Sequence, residues 1–257
     1  MRNVGIARTL IAIASVSVAI LTLSYVDFVP RGQAVPAWLP REAWVYGSAM
    51  LMLAASAGLC FARTAVPSLV VLGLYQAVWT VICALPIFSM PHGIGSWYGF
   101  CEALTPLLST WIVLAPGDRG VRMAQALFGL TCVFYGWSHF LYADYTAAMV
   151  PEWLPAHLTL AYFTGAAHIA AGIGIAFGIL PRLAAVLETL MMSLFGLLVW
   201  VPSFFLQPRP DWATPTQNQW SELAVNLVLA AGAAVVALSL SARPWSSVGW
   251  RHGAPAA

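Results

Sequence analysis

The chain has 257 residues, of which 61% are hydrophobic and 8% charged, and its mean hydropathy is +0.82. An average soluble domain carries about 25% charged and about 45–50% apolar residues, so the composition excludes an ordinary soluble domain and a disordered chain. Its net charge of +2, carried by dispersed Arg residues with no Lys, excludes a nucleic-acid partner. Cys60, Cys83, Cys101 and Cys132 show no CxxC or Cys/His spacing, so no metal site is expected. The remaining class is an all-α integral membrane protein whose main partner is the lipid bilayer.

A spanning helix needs about 20 apolar residues, and continuous rather than alternating apolar runs select helices over a β-barrel. In chain order the runs are Val4–Val26, Trp44–Ala62, Pro67–Phe88, Trp97–Ala115, Val121–Tyr142, Leu158–Leu180, Leu183–Leu206 and Trp220–Leu240. They predict eight transmembrane helices. The first run has a basic start but no small-residue cleavage site before the polar loop, so it is expected to remain as structure rather than leave as a signal peptide. Eight spans place Arg2, Arg8, Arg63, Arg119, Arg122, Arg182, Arg243 and Arg251 on one side and Arg31, Arg41 and Arg209 on the other. The positive-inside rule then puts both termini in the cytoplasm, with the chain in a bacterial inner membrane. Trp38, Trp44, Trp97, Trp153, Trp212 and Trp220 gather towards the opposite face as an interfacial belt.

The sequence also reads as a tandem repeat. Val35-Pro36-Ala37-Trp38-Leu39-Pro40 returns as Val150-Pro151-Glu152-Trp153-Leu154-Pro155. Tyr46-Gly47-Ser48 through Gly58 aligns with Tyr162-Phe163-Thr164 through Gly174, Pro86 with Pro202, and Trp97 with Glu102 answers Trp220 with Glu222. Two four-helix units are expected, residues 1–118 and 119–257, the second ending in a cytoplasmic tail. An even number of helices per unit inserts both in the same sense, giving two parallel four-helix bundles related by a pseudo-two-fold axis along the membrane normal. Each proline-rich VPxWLP segment forbids a continuing helix and reads as a turn at the outer face, or as a lid over a lipid-accessible pocket.

The run Phe134-Tyr135-Gly136-Trp137-Ser138-His139-Phe140, followed by Val150–Pro155, Tyr162-Phe163-Thr164-Gly165, Gly172-Ile173-Gly174 and Leu180-Pro181-Arg182-Leu183-Ala184, resembles the DoxX family of membrane proteins. The first half resembles a more diverged copy. The resemblance implies four-helix membrane units, some of them subunits of thiosulfate:quinone oxidoreductases and others associated with thiol or superoxide redox systems. It therefore implies a quinone and a redox partner protein. No covalent cofactor, metal, haem or flavin motif is visible, and no sulfur-chemistry motif assigns an enzymatic activity.

Titratable side chains inside a bilayer are costly and mark functional sites by default. At 1.5 Å rise per residue, His139 and Glu222 both lie roughly 4–7 Å from the outer interface. Helices five and eight of the set bound one unit, so these two residues are expected to pair and to hydrogen-bond the polar end of a quinone or similar apolar ring. Asn226, four residues past Glu222, and Tyr142 and Tyr135, flanking His139, line the same stripe. The competing reading is a structural interhelical hydrogen bond, and a third is exposure of Glu222 at the interface. The first-repeat counterparts are Ser24 for His139 and Glu102 for Glu222.

His168 lies between Gly165 and Gly172, where small residues admit a ring or a second helix. It reads either as a ring-binding or relay histidine or as an imidazole bonded to a neighbouring helix. Glu188 is expected to pair with Arg122 or Arg182, or else to join Glu222, His139 and His168 in a proton path. Pro106 should kink its helix one turn beyond Glu102. Cys83 and Cys101 are expected to be separate buried thiols. Beside the redox-linked reading stand two non-enzymatic ones: a carrier or permease for a small lipophilic or weakly acidic solute, with a polar cavity between the bundles, and a membrane scaffold for a partner enzyme.

Overall fold

The computed structural model describes residues 3–29, 40–115, 117–208, 210–213 and 215–249. The first VPAWLP segment with its Trp38, apart from Pro40, lies outside these residues, as do Arg2, Arg31, Arg209 and Arg251. Each expected apolar run forms a helix. In chain order they are α1 (Val4–Tyr25), α2 (Arg41–Leu59), α3 (Ala65–Ser89), α4 (Ile94–Leu114), α5 (Asp118–Leu141), the short α6 (Ala143–Ala148), α7 (His157–Phe177), α8 (Pro181–Phe195), α9 (Val201–Ser203) and α10 (Thr216–Ser239). A wide π turn over Gly196–Trp200 joins α8 to α9, so Pro181–Ser203 is one continuous rod. No strand occurs among the described residues.

Five of these rods, α1, α3, α7, α8–α9 and α10, are long and apolar enough to cross a membrane. The other three carry more polar residues: Arg41 and Glu42 open α2, Glu102 lies in α4, and Asp118, Arg119 and Arg122 crowd the start of α5. Helix ends follow local chemistry. Gly178 stops α7 with φ +74°, a left-handed conformation that glycine adopts without steric cost, and its N–H returns to the Gly174 carbonyl. Pro181 then opens α8, where a missing N–H costs nothing. Arg41 joins the start of α2 to the end of α1 through an ion pair with Asp27, and its guanidinium lies 5.4 Å from the Phe28 ring centre.

The two halves share a core. Ala7, Ile11 and Ala19 of α1, Leu72 of α3 and Leu108 and Ile112 of α4 pack in one cluster with Phe128 of α5, Ile175 of α7 and Ala233, Val235 and Val236 of α10. Within the first half α1 packs on α2, α2 on α3 and α3 on α4; within the second, α5 packs on α7, α7 on α8 and α8 on α10. Between the halves, α1 meets α10, α4 meets α5, and α4 meets α10. Side-chain hydrogen bonds add specificity where lipid offers no hydrophobic drive between helices. Thr110 Oγ1 donates to Gln76 Oε1 at 2.8 Å, Thr80 Oγ1 to the Ala103 carbonyl at 3.1 Å, and Gln125 Nε2 to Ser239 Oγ at 2.8 Å.

The closest packing is between α5 and α7. Gly129 faces Gly172 and Gly136 faces Gly165, backbone against backbone. A methyl placed on Gly129 would stand 2.5 Å from the Gly172 carbonyl, and one placed on Gly136 would stand 2.4 Å from the Gly165 carbonyl. The spacing of seven residues on both antiparallel helices keeps the glycines on the contact seam. Gly99 of α4, by contrast, has nothing within 4 Å of such a methyl.

Gly129→Val and Gly172→Val should therefore destabilise the bundle by about 1–3 kcal/mol or more through overpacking. Gly99→Ala should be neutral or stabilising by up to about 1 kcal/mol. Unfolding in mixed micelles, followed by circular dichroism, measures both.

Candidate functional site

The glycine seam brings the histidines together. His139, near the end of α5, and His168, near the middle of α7, stand with ring centres 5.2 Å apart, edge to face. His168 lies one turn from Gly165, and the Gly165 Cα abuts the His139 Cβ: a methyl there would meet it at 2.7 Å. Phe195 of α8 completes the group, stacked on His139 at 6.0 Å and tilted against His168 at 5.8 Å.

His168 Nδ1 is 2.8 Å from Glu188 Oε1 of α8, and both side chains are 2% exposed. Glu188 Oε2 has no hydrogen-bond partner, and the Cys132 thiol of α5 is its neighbour. On the other side, His139 Nδ1 lies 3.1 Å from Thr164 Oγ1 and 3.3 Å from the Ala161 carbonyl. Thr164 Oγ1 is itself committed to the Leu160 and Ala161 carbonyls. No protein group is bonded to Nε2 of either imidazole among the described residues. An imidazole whose Nδ1–H is given to a carboxylate presents Nε2 as a base. The arrangement is thus a buried row, Glu188–His168–His139, with two free imidazole edges. His139 and Phe195 are both half-buried, so their edge is reachable from the surrounding lipid.

Several expectations are corrected here. His139 does not pair with Glu222: no ion pair joins them, because α5 turns His139 onto α7 rather than α10. Glu222 is exposed on α10, and the charged group whose field it reaches is Glu102 on α4. Glu188 is on His168 rather than on an arginine, since Arg182 instead donates to the Arg243 carbonyl at 3.1 Å and lies 3.9 Å over the Trp245 ring centre. Asn226 is buried, but its Oδ1 packs against Gly196 at the π turn, away from His139. Tyr135 is turned to α4, where its hydroxyl lies 3.3 Å from Thr105 Oγ1, and Tyr142 is 50% exposed. Of the residues singled out in sequence, the structure unites His139, His168 and Glu188. Cys132 and Phe195 were missed, and so was the Gly129/Gly136 half of the seam, whose spacing mirrors Gly165/Gly172.

Glu102 stands apart, on the wall of a recess between α1, α3, α4 and α10 together with Gln76 and Trp79. Neither His139 nor Glu222 lines it, and its walls are mainly apolar, unlike the polar cavity expected of a carrier. All four cysteines are free thiols.

A bundle of long apolar helices with few titratable groups is the architecture of a polytopic membrane protein. The DoxX family model matches residues 121–203, a stretch that runs from α5 to α9. That stretch contains the whole Glu188–His168–His139 row. No curated protein and no solved structure matches the chain.

Removing one member of a buried pair strands the other, at a cost of about 3–5 kcal/mol, whereas replacing both with apolar groups is often neutral. His168→Leu and Glu188→Leu should each be strongly destabilising, and the double variant should be more stable than either. A double-mutant cycle of unfolding free energies gives the coupling.

Proposed function

We propose that the protein is a redox-linked subunit of a bacterial inner membrane that binds a quinone or a similar apolar ring at the His139–His168 edge, towards the outer leaflet. The observation that carries this reading is the pair of unbonded Nε2 atoms on two adjacent imidazoles, one of them anchored by a buried carboxyl group. A ring with oxygen at its edge finds hydrogen-bond partners in those nitrogens and an apolar face in Phe195. When the ring is oxidised from its quinol form to the quinone, its two O–H protons pass to the two imidazole Nε2 atoms, and its two electrons leave to a partner redox protein. Glu188 orients His168 and balances the imidazolium that forms.

This reading includes eight spans, with α2, α4 and α5 crossing alongside the five most apolar rods, and both termini in the cytoplasm. It also includes a tandem repeat. Exchanging α1, α2, α3 and α4 for α5, α7, α8 and α10 carries α1–α2 to α5–α7, α2–α3 to α7–α8, α3–α4 to α8–α10 and α1–α10 to α5–α4, as a pseudo-two-fold axis through the α4–α10 contact requires, although the smaller α1–α4 contact has no counterpart of like extent between α5 and α10. Trp44, Trp97 and Trp220, all exposed in the first turns of their helices, fit an outer interfacial belt.

Isolation in native-membrane nanodiscs, followed by mass spectrometry of the extracted small molecules, tests the proposal. Near-stoichiometric quinone is expected with the unmodified protein, falling at least tenfold in His139→Leu and in the His168→Leu/Glu188→Leu double variant. Quinone no more abundant than in the bulk membrane would overturn it.

A further inference from the structure

The recess beside Glu102 lies outside the DoxX-matched stretch and is not needed for the histidine chemistry. Its cavity volume is about 100 Å³ and it opens at a mouth, close to the roughly 150 Å³ of an apolar protein cavity that takes up benzene. Its walls are mostly aliphatic, with Trp79 and Tyr75 of α3 on one side. Against this background the polar groups are unusual in kind. Glu102 receives no hydrogen bond and no ion pair from any described residue. Pro106, also on the wall, has no N–H to return to the Glu102 carbonyl, so the backbone there lacks its usual helical donor. Gln76 also lines the recess, with its Oε1 occupied by Thr110.

No arginine or histidine lines the recess. The charged group whose field reaches Glu102 is another carboxyl group, Glu222. Two acceptors on Glu102, aromatic rings within the same walls and no cationic side chain together describe the complement of a cation. A carboxyl group held in an apolar membrane bundle calls for a partner, and no described residue supplies one.

We propose that this recess binds a lipophilic amine: an aromatic or alicyclic ring bearing a protonated primary or secondary amino group. The ammonium N–H groups donate to the Glu102 carboxylate and to its backbone carbonyl. The ring lies against Leu72 and Trp79, whose face also attracts the cation. A neutral hydrocarbon of the same shape fills the space but leaves Glu102 unpaired. An anion of the same shape is repelled by Glu102 on the wall and, from farther off, by Glu222.

The test uses the full chain in nanodiscs of zwitterionic phosphatidylcholine, with empty nanodiscs to correct for partition into lipid. Equilibrium dialysis compares 2-naphthylmethylamine, 2-methylnaphthalene and 2-naphthoate. The amine is expected to bind at least tenfold more tightly than either of the others. Glu102→Gln should bring it down to the level of the hydrocarbon, and Glu102→Asp should retain most of the preference. Equal binding of amine and hydrocarbon by the unmodified protein would overturn the proposal, as would wild-type amine affinity in Glu102→Gln. The comparison among the three probes needs no variant, so it decides the matter even where Glu102→Gln fails to insert.

Discussion

Contact between the backbones of α5 and α7 governs the second half of the molecule. Apolar side chains cannot drive two helices together in lipid, because the lipid is as apolar as they are. What remains is close approach, and the two facing glycine pairs provide it. With any larger residue the axes would part, His139 and His168 would lose their edge-to-face contact, and α8 would no longer find His168 with Glu188. The chemistry of the domain is thus a consequence of four missing side chains. Each glycine weakens its own helix slightly, and the tertiary fit more than offsets that loss.

The polar groups divide into two sorts. Some tie helices: Thr80 to Ala103, Thr110 to Gln76, Gln125 to Ser239. Each such bond contributes about 1 kcal/mol in a membrane, although Gln125 Oε1 is left without a hydrogen-bond partner. The others are left incomplete. Among the described residues, Glu188 Oε2 has no hydrogen-bond partner, and neither do the imidazole Nε2 atoms or Glu102. In a medium where an unmet polar group is costly, each unmet atom is a place where a further hydrogen-bond partner would be favourable. The two incomplete sets lie in different halves, and Tyr98, Phe134 and Phe195 pack into the small apolar cluster between them.

Much of the architecture was legible in the sequence because spanning length and continuous apolarity leave few options for the backbone. The helices start and stop within a few residues of the apolar runs, with Gly178 and Pro181 marking the sharpest boundary. Partners were less legible. A residue's depth along a helix follows from counting, but its rotation about the helix axis depends on which neighbour comes nearest. His139 and Glu222 share a depth and face different helices. Glu188 has an arginine six residues earlier, yet that arginine is drawn off to Trp245 and the Arg243 carbonyl. The glycines around His168 did signal a close neighbour; recognising α5 as that neighbour required the matching seven-residue spacing of Gly129 and Gly136. Gln76 could be read in sequence as an amide within an apolar run, but nothing local tied it to Thr110 or to Glu102.

The chain's last described residues do not trail away from α10. Leu180 N–H bonds the Ser247 carbonyl, Gly249 N–H bonds the Gly178 carbonyl, and Arg243 reaches the Gly249 carbonyl. Trp245 caps Arg182. The segment hooks over the turn between α7 and α8. A pull on the C-terminal end, such as an extracting protease exerts, is therefore taken first by the α7–α8 turn and only afterwards by the last turn of α10. Mechanical load enters the molecule at the base of α8, the rod that carries Glu188.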